Sequence, residues 1–230
     1  MNKPTQGMIA TKRRGSTERR ERPYHHGALR EALLEAAERI LARDGIDQLT
    51  LRAAAREAGA SHAAPKNHFE NVAGLLSELA AVGFRRFERR LLDAVQVAET
   101  VEEKLAALGR AYVAFAIDHP GLFVLMFRSE RLDLQRPSLS AAMTAASSVL
   151  RDAVDAHPTV DGTLPIDRAA RLVTAWSLAH GFAMLKIDGR LDVITESLPD
   201  RGEAMMLLDT ILAAGGGRLS NAPVGNGKAR

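Results

Sequence analysis

No cysteine occurs among the 230 residues, so disulfides, thiolate metal sites and cysteine nucleophiles are excluded. Aromatic residues make up only 4% of the chain, while Ala and Leu are its commonest residues. That balance favours helix over sheet, because Ala and Leu lose little side-chain freedom in a helix. There is no run of eighteen apolar residues and no signal-peptide pattern, which argues against a membrane span and against export. The expected location is the cytoplasm. Catalytic signatures are missing too: no Walker A loop, no GxGxxG, no HExxH and no GxSxG. The stretch GNGK at 225–228 reads as a flexible end, not a phosphate cradle. No enzyme activity and no cofactor are therefore expected. Asp152, Asp155 and Asp161 with His157 are better explained as solvated residues at a helix end than as a cation site, and no metal is expected.

What is present is an ordinary globular composition, 46% apolar and 26% charged, with its charge unevenly placed. Residues 1–23 carry seven Lys/Arg against two Glu, and residues 215–230 carry three basic residues and no acid. The body between them is net acidic, at −5, against +3 for the whole chain. The first segment, with Lys12, Arg13, Arg14, Arg19, Arg20 and Arg22, has no apolar periodicity and is expected to be a disordered arm. It suits either attraction to polyanions or a solubilising role. Residues 215–230 hold five Gly and are expected to form a flexible tail.

Between these ends the pattern is helical throughout. From Gly27, the residues Leu29, Leu33, Ala36, Ala37, Ile40 and Leu41 form one apolar stripe that Gly45 stops. Thr50 is placed to cap a helix of about two turns, Leu51 to Ala58, ending at Gly59. Ser61 is placed to cap a second, His62 to His68. A long amphipathic helix starts near Val72 and continues past Leu91. Further helices are predicted at about 101–118, 120–128, 137–157, 166–187 and 201–214, with Pro137 and Pro165 at helix starts and Asp200 as an N-cap. The links 158–165 and 188–200 hold turn residues. No stretch alternates, so the fold class is all-α.

The most specific feature is Thr50 to Phe69, TLRAAAREAGASHAAPKNHF. Two short helices joined by a Gly-containing turn, after a longer helix, form the arrangement of a helix-turn-helix, whose second helix enters the DNA major groove. Ala53, Ala54, Ala55 and Ala58 are small enough for close crossing, and Leu49, Leu51 and Phe69 anchor the pair. His62, Lys66, Asn67 and His68 can donate to phosphates or base edges. The same pattern also fits a helical hairpin in a small bundle. Pro65 disfavours helical geometry at Ala64 and removes a donor, so the second helix should be short or distorted at its start.

The order YHHGALREALLEAAERILARDG, LTLRAAAREAGASHAAPKNHF, then a Leu-rich helix resembles the DNA-binding domain of TetR-family regulators over about residues 24–87. Further on, AYVAFAIDHPGLFVLMF at 111–127 and AWSLAHGFAML at 175–185 resemble the regulatory domain called WHG, after Trp176, His180 and Gly181 in this chain. The resemblance implies an all-helical fold: a helix-turn-helix DNA-binding domain at 24–71, extending to about 87 through the connecting helix, and a regulatory and dimerising domain at 88–214. It implies a homodimeric regulator, most simply a repressor, that binds a pseudopalindromic double-stranded operator and answers a small-molecule effector. Expected DNA contacts are Arg52, Ser61, His62, Ala63, Lys66, Asn67 and His68, with His25 and His26 near the backbone; Arg52 fits a solvated surface residue equally well, and His25 and His26 an exposed pair with no other role. Family members often carry Tyr where this chain has Lys66, Arg or another polar residue at Asn67, and Lys at Val72. Those departures motivate an alternative, a helical-bundle interaction protein with degenerate DNA binding. Candidate ligand contacts are Phe115, Phe123, Met126, Phe127, Met143, Trp176, His180 and Met184, although for each of the first five a core position is the favoured reading. For Trp176 and His180, four apart on one helical face, a core aromatic above a hydrogen-bonded His is the competing reading. Gly181, costly inside a helix, fits a place where another helix packs closely, such as a dimer interface.

Overall fold

The computed structural model describes residues 26–156, 164–197 and 203–219. The arm at 1–23, His25, His157, Asp161, Asp200 and residues 220–230 lie outside the described residues. Every described element is a helix, ten α-helices and two short 3-10 turns, and no strand occurs among the described residues.

The first helix, α1, spans His26–Asp44, and its apolar stripe is buried at Leu33, Leu34, Ala36, Ala37, Ile40 and Leu41. Gly45, at φ +83°, turns the chain into a 3-10 turn at 46–48. Then follow α2 (Leu51–Glu57) and α3 (Ala64–Phe69), which together with α1 sit against the start of α4 (Val72–Gln96). All of Gly74 to Ala81 in α4 is buried, because that stretch is covered from both sides. On the other side lie α5 (Val101–Asp118), α6 (Pro120–Met126), α7 (Pro137–Asp155), α8 (Pro165–Ile187), α9 (Asp192–Glu196) and α10 (Ala204–Leu219). The most extensive pairings are α4 with α7, α5 with α8 and α4 with α5. Thus α4 belongs to both halves and carries one continuous core from Leu33 to Leu208.

Helix starts follow the local chemistry. The hydroxyl of Thr100 accepts from the Glu103 amide while the Glu103 carboxylate accepts from Thr100 N, a reciprocal cap on α5. Pro120, Pro137 and Pro165 each occupy the first position of a helix, where no intrahelical donor is needed.

Three expectations need correction. The second short helix begins at Ala64, not His62, and Ser61 does not cap it through its side chain. Pro65 has no amide to bond the Ser61 carbonyl, so the helix cannot extend a turn earlier. The link 188–200 contains α9, held by buried Leu191 and by Lys186 Nζ 2.6 Å from Asp192 Oδ1. The last helix runs through Gly215–Gly217 to Leu219, so part of the expected tail is helical. Once the turn carrying buried Leu208 is formed, adding residues is cheaper than nucleating afresh.

Candidate functional site

The amino-terminal pair is built from capping upward. Thr50 Oγ1 accepts from the Ala53 amide at 3.1 Å and starts α2, an interaction worth about 1 kcal/mol. Ala54 and Ala55 are fully buried, so α2 lies close against its neighbours. At its end, Ala60 N donates to Ala55 O (2.9 Å) and Gly59 N to Arg56 O (3.2 Å), with Gly59 at φ +64°. This pair of hydrogen bonds is the Schellman stop, and it requires the left-handed geometry that Gly allows.

α3 then stands on Ala64, Pro65 and Phe69, all buried, and turns Lys66 and Asn67 outward. Ser61, His62 and Ala63 precede it, exposed, and Arg52 is exposed on α2. Six of the seven predicted DNA contacts are thus brought together on the surface of this pair. His68 is half-buried, its ring 6.1 Å from that of Phe69. Val72 is half-buried against the core.

Sequence reasoning missed the corner after α3. Glu70 adopts φ +67°, rare for a residue with a side chain. Asn71 Oδ1 accepts from Gly74 N at 2.8 Å and caps α4. A Cβ on Gly74 would lie 2.0 Å from the Phe69 carbonyl oxygen, so only Gly fits. Asn followed three residues later by Gly was the available signal.

In the other half, a cavity of about 120 Å³ opens between α5, α8 and α10, with Leu150 and Val154 of α7 on its wall. Its lining is mostly aliphatic, joined by Tyr112, Trp176, Thr174 and Arg171. Tyr112 Oη lies 2.8 Å from His180 Nδ1 and receives the Trp176 indole N–H at 3.3 Å. The indole can only donate, so Tyr112 Oη accepts from Trp176, and the direction of its bond with His180 Nδ1 is set by the imidazole tautomer. Burial holds His180 below the usual imidazole pKa and pushes the Tyr112 hydroxyl well above its ordinary value.

Of the eight ligand candidates, only Trp176 lines this cavity, and it is 48% exposed, not a core aromatic. Phe115, Phe123 and Met126 are buried. Phe127 packs its ring 4.7 Å from His180, and Met143 and Met184 are half-buried against the core. Leu105, Gly109 and Leu212, which do line the cavity, were hidden because any aliphatic residue on a helical stripe reads as core. A Cβ on Gly181 would meet nothing within 4 Å in the single chain. Among the described residues no group of three or more His, Asp or Glu is placed to hold a metal ion, and no helix is long and apolar enough to cross a membrane.

A Schellman-stopped α2 followed by an outward-facing α3 is the arrangement of a helix-turn-helix protein. Residues 105–208 match the family model of the tetracyclin repressor-like C-terminal domain. The chain is 27% identical over 167 residues, 72% of its own length and 73% of the other's, to the uncharacterized HTH-type transcriptional regulator Rv0681 of Mycobacterium tuberculosis. It is 36% identical to a protein of unknown function from Rhodococcus sp. RHA1, whose structure superposes with a TM-score of 0.68 over 86% of this chain and 97% of that one. The crystal structure of AibR in complex with isovaleryl coenzyme A and operator DNA shares the fold at 18% identity, with a TM-score of 0.55 over 81% of this chain and 97% of that one. The chain belongs to the TetR family of transcriptional regulators.

Proposed function

We propose that this regulator is a cytoplasmic homodimeric repressor that reads a pseudopalindromic operator and is released by a small, largely apolar effector. The observation that carries the reading is the outward placement of Lys66 and Asn67 on a helix whose inner face, Ala64, Pro65 and Phe69, is buried. Arg52, Ser61, His62, Ala63 and His68 complete the contact set. A dimer would set two such helices one helical turn apart on the duplex, about 34–36 Å. Support for the dimer comes from Ile166, Val173 and Leu185 on α8 and Met206 on α10, apolar yet exposed in the single chain. Packed against their copies, they would form a four-helix interface with Gly181 at the close approach.

The division is a basic arm at 1–23, a reading head at 24–71 continued to about 87 by α4, a regulatory domain at 88–214 and an end segment at 215–230 whose first residues continue α10 to Leu219. The effector site is the α5–α8–α10 cavity, with Trp176 at its wall; Phe115, Phe123, Met126, Phe127, Met143, His180 and Met184 would act behind it as the packed layer that feels the ligand. An effector shifts the head spacing only by its differential affinity for the two conformations.

The test is selection of duplexes from a random pool, followed by the double variant His62→Ala, Lys66→Ala. The variant should keep the dimer mass and lose the selected duplex. The alternative, an interaction protein with degenerate DNA binding, draws on the six-residue length of α3 and on Val72 packing inward. It predicts that the wild-type dimer enriches no duplex.

A further inference from the structure

Ser77 and Glu78 of α4 are both buried, and both are turned to one segment. Ser77 Oγ accepts from Asp133 N at 2.8 Å. Glu78 accepts from Arg136 Nε at 2.8 Å and from Ser138 Oγ at 2.9 Å, where Arg136 and Ser138 form the start of α7. Its second oxygen accepts from Arg30 of α1. The carboxylate is therefore clamped between an arginine of the reading head and an arginine of the regulatory domain. Both arginines also touch the end of α3. Arg30 lies over the Phe69 ring, 5.7 Å from its centroid. Arg136 Nη2 is 3.7 Å from Glu70, and its Nη1 passes through the gap left by the missing side chain of Gly74. Neither a bare surface pair nor an isolated buried charge is involved: three donors satisfy a carboxylate that is 7% exposed.

We propose that Glu78 and Arg136 are positioning residues for DNA recognition, locking α3 to the start of α7 through the Arg30–Glu78–Arg136 clamp. α7 also supplies Leu150 and Val154 to the effector cavity, so the clamp is the polar joint at which a shift of α7 reaches α3. The relevance to DNA rests on the proposed reading of α3; the clamp itself does not. Breaking such a pair on one side leaves an uncompensated buried charge, and that cost holds the joint closed.

The absence of native cysteine gives a clean test. Cysteines at exposed Asn67 and Ser147 carry nitroxide labels, and labelled chains are diluted into excess unlabelled protein so that the distance within one chain is read. Wild type should give one narrow distribution. Glu78→Gln and Arg136→Gln should at least double its width, with helix content by circular dichroism unchanged. In unlabelled protein the same changes should weaken binding to the wild-type-selected duplex tenfold or more. A lower melting temperature with an unaltered distance distribution marks a merely structural role and overturns the proposal. Should Glu78→Gln lose helix content, Arg30→Gln, at the half-exposed end, decides: broadening supports the clamp and wild-type width overturns it. If wild type selects no duplex, the reading of function fails while the distance measurement still judges the joint.

Discussion

The hydroxyl of Tyr112 sits 2.8 Å from Nδ1 of His180, joining α5 to α8 beneath the cavity wall. Phe87, Phe123 and Phe127 surround the Tyr112 ring, with centroids 5.0, 5.5 and 6.4 Å away. The bond is therefore sheltered, and water cannot easily replace it. Tyr112→Phe keeps the ring and removes the oxygen, taking the partner from both His180 Nδ1 and the Trp176 indole N–H. The expected cost is about 1–3 kcal/mol of folding stability, read from urea unfolding. Trp176 is the only tryptophan, so the same variant should also shift the emission maximum of the folded protein. An unchanged midpoint and spectrum would mean that the relay carries no weight.

His180 also gives a dependence on pH whose sign can be worked out. Burial lowers its folded pKa below 6.5, so between 6.5 and that lower value the unfolded chain takes up a proton that the folded chain refuses. Stability is then full above about pH 6.5 and falls as the solution is acidified, no faster than the one-proton limit of about 1.4 kcal/mol per pH unit. Glu78, whose pKa is lowered by its hydrogen bonds and ion pairs against the opposing effect of burial, contributes above pH 4.5 and is lost only below it. Between pH 6.5 and 4.5 the loss therefore comes from His180 and not from Glu78. Unfolding midpoints between pH 7.5 and 5.5 should therefore drop for wild type and drop less for His180→Gln.

The all-helical fold was legible because apolar stripes at helical spacing are long and repeated. The helix-turn-helix was legible because Thr50, the alanine run and Gly59 are local signals that act within a few residues. The short α3 followed from Pro65 alone. What the chain did not reveal was set by contacts between distant segments. The clamp joins Arg30, Glu78 and Arg136, which lie 48 and 58 residues apart along the chain, and no local rule marks Glu78 as different from a solvated glutamate. The cavity wall escaped notice for a related reason: a void lined by Leu105 and Gly109 of α5, Leu178 of α8 and Leu212 of α10 depends on how three helices cross. Aromatic residues drew attention instead, and most of them fill the core.

Two glycines predict opposite outcomes for the same substitution. In Gly74→Ala the added methyl meets the Phe69 carbonyl at 2.0 Å and Arg136 Nη1 at 3.0 Å. The α3–α4 corner must open, and the loss should lie at or beyond the upper end of the about 1–3 kcal/mol typical of overpacking. In Gly181→Ala nothing lies within 4 Å, so a single chain should gain up to about 1 kcal/mol from helix propensity. A dimer that uses this face would instead be weakened. Melting at low concentration and sedimentation across a dilution series separate the two contributions. A Gly181→Ala protein that dimerises as tightly as wild type places the interface elsewhere.

The basic arm supplies the last prediction. Seven cations in 23 residues, against two glutamates, would release counterions on contact with a duplex and steepen the salt dependence of binding. Each phosphate neutralised contributes about −0.9 to the slope of log K against log salt. Deleting residues 1–23 should therefore flatten the slope by several units and weaken binding to all duplexes alike. Lys66→Ala, by contrast, should change the slope by about 1 if it meets a phosphate. If it instead reads a base edge, it should leave the slope nearly alone and relax preference at one position. Titrations of both variants from low to moderate salt distinguish an arm that grips the backbone from one that only keeps the protein in solution, since a purely solubilising arm would leave the slope where it was.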